Sequence, residues 1–367
     1  MIDFPASPTL GQSFTAAGVT WFWDGTKWLP SGLAPTVVPG NGVNRIINGE
    51  MIMDARNKGA AVVPTGTPLT FTLDHWIYGA TIGSKFQVRR VSPPSTGPTT
   101  QPFGFNYFMQ AMSQGADPPL ATDTFYLMQR IEADMVSDFL CGYPNAQPMT
   151  LSFWANTLQA GTYSGSIASG DGTRSYAFTF PLLGLGLERV VVNIPGDTGG
   201  VWAIAANGTL MLLRFDLGSG ANYRIPAGVW TTGNFVGANG AVNTCAANGG
   251  ILAVTGVKLE LGVVATPYAK QSLAKTVLDC QRYYQEIGVS GRFYAPAVSA
   301  IFACDVGWSS MRGLPAATLL GAGTRSANIS GALLVPNTFN SGYFTFTATT
   351  ASDCYAVSDL WSLSAEL

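Results

Sequence analysis

Thr150-Leu151-Ser152-Phe153-Trp154-Ala155 alternates along its length, with Leu151 and Phe153 on one side of an extended chain and Ser152 and Trp154 on the other. Side chains of a strand point to opposite faces with a period of two, so this stretch is predicted as a strand with one face in a core. Similar runs recur at 83–91, 162–168, 175–180, 189–194, 209–217 and 252–261, with little helical period between residues 44 and 270. The chain's 43 glycines and 22 prolines punctuate these runs, the pattern of an antiparallel β-sandwich. Burying one face of each strand calls for two sheets packed together, and residues 44–270 are expected to form them.

Outward from this centre the composition changes twice. Toward the N-terminus, Trp21-Phe22-Trp23-Asp24-Gly25-Thr26-Lys27-Trp28 reads as a hairpin, because Asp-Gly between aromatic runs is a strong turn signal. A two-residue turn pairs Trp21 with Trp28 and sets Trp21, Trp23 and Trp28 on one face, which something must cover. A partner is preferred over the next domain, since residues 31–43 read as a linker after a hairpin module at 1–30.

Toward the C-terminus, Leu273, Val277, Cys280, Tyr284 and Ile287 recur every three or four residues, predicting a helix over 271–287 of about four turns. Ser272 suits its N-cap and Gly288 its end, and Lys275–Asp279 and Arg282–Glu286 stand four apart. It is read either as a short coiled coil on a symmetry axis or as one amphipathic helix on its own sandwich. The β pattern resumes at 297–304, 330–335 and 342–348, so residues 288–367 are expected to form a small β domain.

Charged residues are only 11 % of the chain, against roughly 25 % in an average soluble domain. A surface so poor in charge resembles an interface, which predicts a homo-oligomer. The net charge of −2 gives no footprint for nucleic acid, and no apolar run is long enough for a spanning helix. Residues 1–5 lack the basic start and apolar stretch of a signal peptide, so synthesis in a cytoplasm without export by that route is expected. Cys141, Cys245, Cys280, Cys304 and Cys354 form no CxxC pair and read as buried free thiols.

Catalytic chemistry finds little to use, and the chain is read as a non-enzyme with no catalytic residues. His75 is the only histidine, between aromatics in Leu73-Asp74-His75-Trp76-Ile77-Tyr78, and reads as a packed or surface residue. One histidine and scattered cysteines leave no set for zinc. A glycosidase needs only two carboxylates, and Glu132, Asp134 and Asp138 form the densest acidic cluster, though a solvated loop explains them more simply. Sugar binding is easier to support, because aromatic platforms with amide and carboxylate neighbours hold neutral saccharides. The candidates are Trp76, Tyr78, Trp154, Trp202 and Trp230, of which one or two are expected to reach a ligand.

Several segments resemble bacteriophage tail-fibre and other virion structural proteins. Phe4-Pro5-Ala6-Ser7-Pro8-Thr9-Leu10-Gly11-Gln12-Ser13-Phe14, followed by residues 21–28, is similar to a short module that opens such proteins. Asn44-Arg45-Ile46-Ile47-Asn48-Gly49-Glu50-Met51, residues 150–155, Ile194-Pro195-Gly196-Asp197-Thr198, Val257-Lys258-Leu259-Glu260-Leu261-Gly262 and Ala265-Thr266-Pro267-Tyr268 resemble a jelly roll akin to carbohydrate-binding modules. Cys280-Gln281-Arg282-Tyr283-Tyr284 and Met311-Arg312-Gly313-Leu314-Pro315 resemble the start of the C-terminal domain in the same proteins.

The resemblance implies a mainly β fold: an antiparallel jelly-roll sandwich with an N-terminal hairpin module and a small C-terminal β domain preceded by one helix. It implies a structural subunit of a phage fibre or spike, often a homotrimer, assembled in the host cytoplasm and located in the virion. Trp21, Trp23 and Trp28 would then dock to other virion proteins, while the rest meets a host surface glycan or receptor. A tailspike glycosidase degrading host polysaccharide and a stand-alone carbohydrate-binding module are the alternatives. No cofactor is expected, but related jelly rolls often hold calcium, for which Glu50 and Glu260 lie in matching segments.

Overall fold

The computed structural model describes residues 4–8, 12–16, 19–23, 28–30, 42–64, 69–92, 104–116, 118–202 and 207–367. Most of the expected linker and the Asp24-Gly25 turn lie outside the described residues.

The central sandwich is antiparallel, as its alternation predicts. One sheet runs in the order Trp230–Thr232, Arg174–Leu182, Gly161–Ser169, Thr209–Asp216, Phe125–Glu132, Ile77–Ala80, Thr70–Phe71. The other runs Glu188–Ile194, Met149–Thr157, Ile251–Leu261, Phe108–Ser113, Phe86–Val91. Leu151, Phe153 and Ala155 enter the shared core with Phe86, Phe125, Phe180 and Phe215. Phe153 meets Phe180 and Phe215 edge-on at 5.1 and 5.0 Å, the geometry ring quadrupoles favour.

At the N-terminus, Ser13–Ala16, Val19–Trp23 and Trp28–Pro30 form a three-stranded sheet. The pairing corrects the two-residue turn: Trp23 faces Trp28, and Trp21 faces Pro30. Moving the register by two keeps side chains on their faces, so the three indoles still share one side. Their cover comes from the chain itself. Phe4 stacks on Trp28 at 5.3 Å and 13°, meets Trp21 edge-on at 5.2 Å, and lies 5.6 Å from Phe14. The three tryptophans remain half-buried.

The helix is shorter than predicted. It spans Leu273–Gln281 with Ser272 accepting from the Lys275 backbone N–H, and a strand follows at Tyr284–Tyr294. Tyr284 pairs with Ser364, so ladder pairing overrides the helical period, and Gly288 is a strand residue opposite Leu360. The Lys275–Asp279 pair forms at 2.8 Å, but Arg282 turns to Glu132 and Glu286 to Lys58. Leu273, expected on the buried face, is largely exposed.

The C-terminal domain packs the sheet Tyr284–Tyr294, Asp353–Ser364, Ala316–Gly321 against the sheet Ile301–Gly307, Ser341–Ala348, Ile329–Pro336. Phe344, Phe346, Trp361 and Leu363 fill the space between them.

Charged side chains tie this domain to the sandwich. Glu132, read from sequence as part of a solvated loop, is 1 % exposed and receives Arg282 and Arg312, each at 2.9 Å. His75 is packed beneath Tyr283 at 4.0 Å, donates from Nε2 to the Arg130 carbonyl at 3.0 Å, and lies 3.5 Å from Glu366. Arg56 pairs with Glu366 and lies over the Tyr284 ring at 3.7 Å. Burial pushes the Glu366 carboxyl up, but His75 and Arg56 outweigh it and hold the group below the usual carboxylate range.

Four of the five cysteines are buried and Cys304 is half-buried, all as free thiols. No helix among the described residues is long and apolar enough to cross a membrane.

Candidate functional site

The outward face of the five-stranded sheet carries the site. Because Leu151, Phe153 and Ala155 point inward, Ser152, Trp154 and Asn156 point out. Arg189 lies directly opposite Trp154 on one side, and Thr255 on the other. Paired residues of an antiparallel ladder hold their Cβ atoms about 4.5–5.5 Å apart, so the two side chains leave the sheet from neighbouring positions.

A bulge shapes the floor. The ladder between Met149–Thr157 and Ile251–Leu261 shifts register between Thr255 and Lys258. Gly256 sits there at φ +58°, and a Cβ would fall 2.5 Å from Phe105 and 2.9 Å from Trp154. Only glycine takes this backbone freely and lets both rings close over it.

A strap of residues 262–272 forms the wall. Lys258 and Glu260, 1 % and 0 % exposed at the side chain, pair at 3.2 Å. The Lys258 ammonium donates to the Thr266 hydroxyl and to the Pro267 carbonyl. Glu260 accepts the Thr266 backbone N–H at 2.9 Å and its hydroxyl at 2.7 Å. So fastened, the strap sets Tyr268 edge-on to Phe105 at 5.2 Å and Lys270 over the same ring at 5.8 Å. Burial raises the Tyr268 phenol well above its ordinary range, which keeps it neutral.

The result is a groove of about 460 Å³ among Phe105, Ser152, Trp154, Arg189, Tyr268 and Lys270. That volume suits a small ligand or a short stretch of a polymer. A second cavity of about 470 Å³ lies behind the strap, against the helix. Most of its charged side chains are paired, Arg45 with Asp138, Lys275 with Asp279 and Arg282 with Glu132, while Asp134 is exposed.

Of the predicted sugar-binding aromatics, Trp154 alone lines the groove. Trp76 and Tyr78, 0 % and 1 % exposed, are core residues and cannot touch a glycan. Trp202 is 6 % exposed, and its Nε1 donates to Asp197, a carboxylate also gripped by Arg174 at 2.6 Å. Trp230 is half-buried at the sheet edge, wedged between Tyr176 and Trp202 at 5.4 and 5.6 Å. Large aromatics bury the most apolar area, so packing claims them first.

The calcium candidates are likewise engaged. Glu260 is consumed by Lys258 and Thr266, and Glu50 is buried with the Lys270 ammonium 3.8 Å away. Burial raises the Glu50 carboxyl despite that lysine. Among the described residues, no three His, Cys, Asp or Glu side chains gather as a metal site would require.

Sequence reasoning missed Phe105, Arg189, Gly256, Tyr268 and Lys270. One signal was present: Gly256 interrupts an otherwise strand-like run, the mark of a bulge or a close approach. The rest required the register.

No family model matches this chain, and no curated protein matches it. Among solved structures it is similar to TmCBM61 in complex with β-1,4-galactotriose, at 12 % identity and a TM-score of 0.28, over 59 % of this chain and 97 % of that one. It is also similar to a family 11 carbohydrate-binding module from Clostridium thermocellum in complex with a β-1,3-1,4-mixed-linked tetrasaccharide, at 10 % identity and 0.26, over 56 % and 99 %. A cyclase from Fischerella sp. TAU aligns at 11 % identity and 0.34, over 61 % and 99 %. These are distant likenesses.

Proposed function

We propose that the central sandwich is a non-catalytic glycan-recognition module and that the groove on its five-stranded sheet takes the saccharide. One observation carries this reading: Trp154 stands half-buried on the outward face of the five-stranded sheet, opposite Arg189 and over a glycine bulge. An indole face stacks on the C–H face of a sugar ring, and adjacent polar groups take its hydroxyls. Among the described residues the groove lining includes no carboxylate, and glycoside hydrolysis needs two. Glu132, one member of the acidic cluster, is held by two arginines.

The test is affinity electrophoresis of the full chain in gels containing neutral and acidic polysaccharides. Retention by at least one polymer is expected, with Trp154→Ala abolishing it and Trp230→Ala leaving it intact. Retention unchanged in Trp154→Ala would remove the groove from consideration.

A second reading, a homotrimeric virion fibre subunit that presents this module to a host surface glycan or receptor, is favoured by a different observation. Ile301, Leu333 and Tyr343, 69 %, 53 % and 38 % exposed, share the outer face of one C-terminal sheet. Such faces are ordinarily covered. In this reading the half-exposed Trp21, Trp23 and Trp28 face docks to other virion proteins. Light scattering of the purified chain checks the oligomer, and a monomer at micromolar concentration would count against it.

A further inference from the structure

The charges that line the groove are of one sign. Arg189 and Lys270 reach it, and among the described residues no aspartate or glutamate does. Lys270 is partly engaged, donating to the Gly104 carbonyl and lying 3.8 Å from Glu50. Arg189 is exposed and has no hydrogen-bond or ion-pair partner among the described residues.

That sets Arg189 apart within this chain. Arg45, Arg56, Arg174, Arg224, Arg282, Arg292, Arg312 and Arg325 each hold a carboxylate. Arg90 lies near Asp54 and donates to the Ile52 carbonyl, and Arg89, Arg130 and Arg214 donate to an amide or a backbone carbonyl. The one carboxylate adjacent in sequence, Glu188, belongs to the other face of its strand and accepts the Leu183 and Gly184 backbone N–H groups. No described carboxylate pairs with Arg189.

Resting on the glycan reading of this groove, we infer that its ligand is an acidic saccharide whose carboxylate is taken by Arg189 while an adjoining ring stacks on Trp154. The pairing of Arg189 with Trp154 across the ladder supplies both contacts at neighbouring positions. A guanidinium presents a planar fork that matches a carboxylate with two parallel, charge-assisted hydrogen bonds, stronger than those it gives to the hydroxyls of a neutral sugar. Lys270, which also lines the groove, adds positive potential there.

The experiment uses the full chain and four acidic polymers: polygalacturonate, alginate, hyaluronan and polysialic acid. Each is paired with its methyl-esterified form, which keeps the backbone and removes the charge. Isothermal titration should find at least one acid bound about tenfold more tightly than its ester. Arg189→Gln should reduce that acid to the affinity of the ester, and Trp154→Ala should abolish binding of both. Circular dichroism of Arg189→Gln should match the parent, since the side chain is exposed.

Equal affinity for acid and ester, or an Arg189→Gln variant that binds the acid unchanged, would overturn the inference while leaving the neutral-glycan groove standing. Failure of every polymer, neutral or acidic, would instead overturn the glycan reading beneath it. Displacement of the bound acid by poly-glutamate at equal charge would also overturn it, in favour of an acidic peptide.

Discussion

Two regions of this molecule are organised by arginine, and they use it in opposite ways. Where the C-terminal domain meets the sandwich, Arg282 and Arg312 converge on Glu132 and Arg56 on Glu366, with both carboxylates buried. On the outer face of the five-stranded sheet, Arg189 stands beside Trp154 with no partner among the described residues. In a chain with so few charges, most are committed to holding the fold together. A charge left uncommitted on a shaped surface is therefore the more informative one.

The comparison breaks most visibly at Glu132. Glu132→Gln leaves two guanidinium groups without their carboxylate and should cost about 3 kcal/mol, the lower end for breaking a buried pair because Arg282 is partly exposed. Urea denaturation followed by near-ultraviolet dichroism should then show the C-terminal domain separating from the sandwich in a two-step transition. A single transition at the parent midpoint would show that the Glu132 pairs contribute nothing to the junction.

Gly256→Ala tests the groove side. The substituted residue keeps an unfavourable φ of +58° and drives a methyl into Phe105 and Trp154, so a loss of about 1–3 kcal/mol is expected together with loss of polysaccharide retention. Thermal unfolding and affinity electrophoresis read the two effects separately.

A smaller effect comes from pH. The Glu366 carboxyl is held below its unfolded value, so the stability it contributes is present above that value and is lost as pH falls through the folded one. Between about pH 5 and about pH 3 the parent should lose on the order of 1 kcal/mol more than Glu366→Gln, measured by denaturant midpoints across that window. Parallel pH profiles for the two proteins would remove Glu366 from the junction's energetics.

Least of all should change when Arg189 becomes Gln, with stability within about 0.5 kcal/mol of the parent, as for surface substitutions away from structural features. A larger loss would place Arg189 with the structural arginines and dissolve the contrast.

The strand pattern was legible because alternation reports one thing, which side of a strand is wet. Leu151 and Phe153 proved buried and Trp154 half-buried, and the runs at 162–168, 175–180 and 189–194 each fall inside an observed strand. Helical period was less trustworthy at its end, since nothing local in Tyr283-Tyr284-Gln285 announces that Ser364 and Leu363 will pair with it. Which of the aromatic candidates stay out of the core was illegible for a related reason. Trp76, Trp202 and Trp154 look alike in a sequence, and only the neighbours they acquire decide which is packing and which is surface.

Local chemistry thus fixed the β class, the N-cap at Ser272 and the shared face of Trp21, Trp23 and Trp28, because each depends on residues a few positions apart. Tertiary structure alone decided that Phe4 covers those indoles, that Glu132 is buried between two arginines, and that Trp154, Arg189, Gly256 and Lys270 meet in one groove. Those meetings join residues that are far apart in the chain, and their positions are set by strand register and by the strap that Lys258 and Glu260 fasten. No periodicity within a single strand encodes them.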